Sequence, residues 1–116
     1  MGLILTFGVG VSMAGRIALD AKLLGETKNV PFDFISDLAI GETISTSVVT
    51  CSVYSGTDAS PSSVISGSSS NSGTKVTQKI TGGTLGVVYE LLCTITTSAG
   101  QTLELVGILA VVPDVI

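Results

Sequence analysis

The sequence contains no histidine and no tryptophan. Without histidine the commonest general base and the commonest metal ligand are both missing. A serine or cysteine nucleophile would then need a lysine or carboxylate partner, and no such arrangement stands out. Gly8-Val9-Gly10 precedes no strand–helix signal and lacks dinucleotide spacing, so it is no phosphate cradle. Asp33 and Asp37 lie four apart but lack the Asx-rich loop that calcium requires. The expectation is a protein that is not an enzyme and takes no cofactor or metal.

Aromatic residues make up only 4% of the chain, too few for a base- or sugar-stacking platform. Charged residues make up 12%, with a net charge of -4. Arg16, Lys22 and Lys28 sit close together, but Asp20 and Glu26 are interleaved with them. That pattern reads as a solvated or interface segment, and a nucleic-acid partner is not expected. Residues 1–12, MGLILTFGVGVS, are apolar from Leu3 onward, yet no basic residue precedes the run. A signal peptide needs that positive start, and a membrane span needs about 20 apolar residues. The segment therefore reads as an apolar arm, or as an upstream start ahead of Met13, and no membrane partner is expected.

What the chain does have is apolar and small residues. Hydrophobic residues reach 45% and mean hydropathy is +0.68, which excludes a disordered chain. Its 116 residues suit one domain. Serine, threonine and glycine take the place of charge, a composition fitting a β-rich protein partly covered by other subunits.

The strongest pattern runs from Gly86 to Pro113. Two long runs of period two, Gly86–Thr97 and Gln101–Val112, flank the short loop Ser98-Ala99-Gly100, which reads as a hairpin. Tyr89, Leu91, Cys93 and Ile95 fall on one face of the first strand. In the second strand Leu103, Leu105, Gly107, Leu109 and Val111 alternate with Thr102, Glu104, Val106 and Ile108. Upstream, residues 29–35 alternate through Val30, Phe32 and Phe34, with Pro31 marking an edge. Residues 36–41 form a turn in which Leu38 and Ile40 are expected to plug the end of the core. Glu42–Tyr54 is a long strand with Val49, Cys51 and Val53 on one face. A short strand around Val64 and Ile65, a flexible loop at 67–73 and a strand at 74–80 follow, then a turn at 81–84. Between Met1 and Lys28 no single period dominates; a short helix at 16–24 competes with an extended arm, and the extended arm is favoured.

About seven strands with turns every eight to twelve residues predict an all-β fold, an immunoglobulin-like antiparallel β-sandwich. It is expected to occupy residues 29–116, preceded by an extended N-terminal arm at 1–28. Cys51 and Cys93 take the positions of the inter-sheet bridge, as either a disulfide or a pair of buried thiols. Leu3, Ile4, Leu5, Phe7, Ile17 and Leu19 are the candidates for partner contact, because an apolar arm commonly shelters on a neighbour. A homo-oligomer is expected.

Five groups of residues carry a further resemblance. They are Leu23-Leu24-Gly25-Glu26-Thr27; Phe32-Asp33-Phe34-Ile35-Ser36; Leu38 with Gly41-Glu42-Thr43-Ile44; Gly82-Gly83 with Gly86, Val88 and Tyr89; and Thr96-Thr97-Ser98-Ala99-Gly100-Gln101-Thr102. In this order the chain resembles small tailed-bacteriophage virion proteins, the fibre-tail adaptor and neck–tail accessory family. The resemblance implies a structural subunit of the virion, assembled in the host cytoplasm, that contacts portal or neck, tail, fibre or capsid proteins. It carries no catalytic residues. A capsid cement or decoration protein is a second reading, and an adhesive module of a bacterial surface protein a third.

Overall fold

A computed structural model describes residues 16–114. Eight strands occupy most of them. β1 (Arg16–Ala18) and β2 (Lys22–Leu23) are short; β3 spans Lys28–Asp33, β4 Ile44–Ser55, β5 Ser70–Ser72, β6 Lys75–Ile80, β7 Val88–Thr97 and β8 Thr102–Val112. They form two sheets. One runs β1-β8-β7-β4 with β2 also on β8, and the other runs β3-β6-β5. The expected all-β sandwich is the fold observed.

Alternation dictates the packing. Tyr89, Leu91, Cys93 and Ile95 of β7 are buried, as are Leu105, Leu109 and Val111 of β8. From the facing sheet come Val30, Phe32, Val76 and Ile80, joined by Phe34 just beyond β3. Each strand thus gives the core its odd or even set, as a period of two requires. Pro31 lies on β3, an edge strand, where its missing N–H costs no ladder bond.

Three local expectations are corrected. The stretch around Val64 is a 3-10 turn, Pro61–Val64, not a strand. Pro61 presets a helical φ at the first position, and the Ser60 carbonyl accepts both the N–H and the hydroxyl of Ser63. Val64 is still fully buried. The loop at 67–73 contains β5, hairpinned to β6 through Gly73 at φ +63°. Ile40 is fully exposed, so only Leu38 packs against the end of the core.

Residues 16–23 are not helical and run along β8; a turn at 24–25 then leads to β3 in the facing sheet. β1 and β2 both pair with β8 in parallel, so the larger sheet is mixed. The segment is also tied by side chains. Gly25 N–H donates to Asp114 Oδ1 at 2.9 Å and Leu23 N–H to Glu26 Oε1 at 2.7 Å. The buried Lys22 donates Nζ to the carbonyls of Leu23 and Leu24 at 2.9 and 3.0 Å. Burial lowers its pKa, against the opposing pull of Glu26 and Asp114.

Candidate docking surfaces

The arm candidates separate into two groups. Leu3, Ile4, Leu5 and Phe7 lie outside the described residues. Ile17 and Leu19 are on the subunit's own sandwich. Ile17 sits opposite Gly107 on the inward face, and Leu19 N–H donates to the Ile108 carbonyl at 3.0 Å. Gly107 makes this approach fit. A Cβ there would come within 2.7 Å of Leu19 Cδ1 and 3.1 Å of Phe32 Cε2.

The cysteines do not occupy inter-sheet positions. Cys51 is on β4 and Cys93 on β7, neighbouring strands of one sheet, with Cys51 opposite Leu91 and Cys93 opposite Val49. The chain crosses between sheets after β3, which seats β4 directly beside β7. Both thiols are free, Cys93 buried and Cys51 half-buried. Burial pushes both up to about 12, with Asp58 adding to the shift at Cys51.

The outward face of the larger sheet mixes apolar with polar residues, and its Leu92, Val106 and Ile108 are half-buried. One row runs Thr50, Leu92, Val106, Arg16, and the next Ser52, Glu90, Ile108, Ala18. Val48 and Tyr54 of β4 are more than half exposed on the same face. Arg16 reaches over it, its guanidinium 3.6 Å from Glu90 and 5.9 Å from the Tyr54 ring centre. An ion pair this exposed contributes less than about 1 kcal/mol. The larger effect of Arg16 is the apolar surface that its stem covers. Alternation alone puts Val48, Leu92, Val106 and Ile108 on outward positions, but only the strand order shows that they adjoin.

Residues that carry the family resemblance meet in pairs. Glu42, 8% exposed, accepts from Thr97 Oγ1, from Ala39 N–H and from Gln101 Nε2. Thr43 and Ser98 exchange two bonds beside it. These contacts clip the turn before β4 onto the β7–β8 hairpin. At the other end, Gly83 packs against Val111 and Tyr89, and Thr84 N–H donates to the Tyr89 hydroxyl at 2.7 Å. Glu90 and Glu104 do not face one another: Glu90 is opposite Ile108 and Glu104 opposite Thr94. Asp33 caps a turn, accepting from Ile35 N–H and Thr74 Oγ1. Among the described residues no three acidic or cysteine side chains converge as a metal site.

The arrangement therefore offers surfaces and edges for contact. No curated protein matches the chain. The family model of the podophage GP4 fiber-tail adaptor protein gp77 matches residues 22–109, from β2 through most of β8, and the chain belongs to that family.

Proposed function

We propose that this chain is a non-enzymatic structural subunit of a tailed bacteriophage virion, joining tail and fibre components through sandwich edges and an N-terminal arm. It takes its place during assembly in the host cytoplasm and acts as a homo-oligomer. The match over residues 22–109 carries this reading. The exposed Val48 and Tyr54, with half-buried Leu92 and Ile108 on the same face, support it, since exposed apolar patches mark contact sites. In this reading Leu3, Ile4, Leu5 and Phe7 reach a neighbour, while Ile17 and Leu19 fix the base of the arm.

The test is reconstitution with the tail and fibre proteins of the same phage. The full chain is expected to bridge them into one co-sedimenting complex, with a fixed copy number by native mass spectrometry. If the fibre binds the tail equally well without this chain, the adaptor role is wrong. Binding at hundreds of capsid positions would instead indicate a cement protein.

A further inference from the structure

We infer that the free edge of β4 is an acceptor for a β-strand, and that its occupant is the leader Leu3–Val11 of a second copy of this chain. This rests on the adaptor reading above and names the surface through which copies join.

The acceptor is legible in the described edges. β5 has three residues and β1 three. β3 has six, but Pro31 interrupts its donors and Lys28 and Asp33 charge its ends. β4 has twelve residues, Ile44–Ser55, with no charge and no proline. Its register irregularities are confined to the two ends, at Ile44/Thr46 and Val53/Ser55, and between them the edge carries neither charge nor proline to block further pairing. Between Thr46 and Tyr54 no backbone bond is made except to β7, among the described residues. The core is also thinnest here. Cys51 and Val53 face inward yet remain half-buried, whereas Tyr89, Leu91 and Cys93 beside them are fully buried.

A second feature lies along the same edge. A cleft of about 240 Å³ opens between β4 and the loop before β5, lined by Ser47, Val48, Val49, Ser69 and Gln78. Gln78 is 1% exposed, and its three bonds, to the carbonyls of Ser66, Gly67 and Lys79, all leave from Nε2. Its Oε1 has no partner among the described residues. A buried acceptor beside a cleft calls for a donor, and an incoming strand supplies backbone N–H groups.

The donor pattern is in the sequence. Leu3, Leu5, Phe7, Val9 and Val11 alternate with Ile4, Thr6, Gly8 and Gly10. A period of two with one greasy side suits a strand whose large residues extend a core. β1 and the free edge of β4 lie at opposite margins of the larger sheet, three strand spacings or about 14 Å apart with β8 and β7 between them. A neighbouring copy offers the same β4 edge without that crossing.

The experiment places the photo-crosslinker benzoylphenylalanine at position 7 of the full chain, in a mixture of unlabelled and nitrogen-15 chains. The expected result is crosslinked pairs of mixed isotope mass joining position 7 to a residue within Ile44–Ser55. The full-length Phe7→Asp variant is expected to lose the oligomer in light scattering and to speed amide exchange in β4 at least tenfold. Intramolecular crosslinks, crosslinks to another strand, or no crosslink would overturn the assignment. So would unchanged β4 exchange in the variant. A chain that fails here but still bridges tail to fibre leaves the adaptor role standing.

Discussion

Tyr89 donates its phenolic hydrogen to Asp58 Oδ2 at 2.6 Å while accepting the N–H of Thr84 at 2.7 Å. One buried ring on β7 thereby ties together the crossover that leaves β4 and the turn that precedes β7. Its side chain is fully buried, so neither bond is readily replaced by water. Tyr89→Phe keeps the ring packing and removes both bonds. Such a loss costs about 1 to 2 kcal/mol. Urea titration of the purified chain should show the midpoint fall with an unchanged slope. A midpoint equal to wild type would mean that the two bonds are made equally well in the unfolded chain's water.

Asp58 and Glu42 give the fold an acid limit. The Tyr89 hydroxyl, then the Ser60 N–H, hold Asp58 below its ordinary value; the Thr97 hydroxyl, then the Ala39 N–H, do the same for Glu42. A carboxylate depressed on folding stabilises above its unfolded pKa, about 4, and that contribution is lost as pH falls through the folded value. Thermal midpoints should therefore be flat near neutrality and drop below about pH 4. Glu42→Gln should lower the neutral midpoint and flatten the acid decline.

How much of this was legible in advance depends on distance along the chain. The β7–β8 hairpin was readable because its pairing is local, and its inward set, Tyr89 through Ile95, follows from alternation alone. Pro31 identified an edge because proline lacks a donor. What failed were contacts set by topology. Strand count alone puts Cys51 and Cys93 on opposing sheets, because it does not say where the chain crosses over; the strand order puts them on neighbouring strands of one sheet. The Glu42–Thr97–Gln101 clip joins positions 55 and 59 residues apart, and no local pattern encodes that meeting. The free edge of β4 was the reverse case: twelve uncharged residues were in plain view, but only the strand order makes them an edge.

Gly107 is where β1's anchoring is most easily broken. Its inward position admits Leu19 and Phe32, and a methyl group there meets both. Overpacking of this kind costs about 1 to 3 kcal/mol, less where a flexible side chain yields. Leu19 can move and the Phe32 ring, buried in the core, cannot easily do so. Gly107→Ala should therefore loosen β1 first. Amide exchange at Ile17–Leu19 should rise more than exchange in β7. Uniform acceleration through both sheets would show instead that the core itself was strained.

The free thiols provide a last measurement, one that separates burial from bonding. Because burial raises both Cys51 and Cys93 to about 12, almost no thiolate exists at pH 8. An unhindered cysteine is partly ionised there, so the native chain should react with a disulfide reagent on the order of a hundredfold more slowly. Cys51, half-buried on the open side of β4, should be modified before Cys93, and both should react fully in denaturant. The order matters. If Cys51 lies beneath a strand from another copy, diluting the assembled protein should raise its rate while leaving Cys93 unchanged. Equal rates for the two thiols at every concentration would argue that nothing covers β4 in solution.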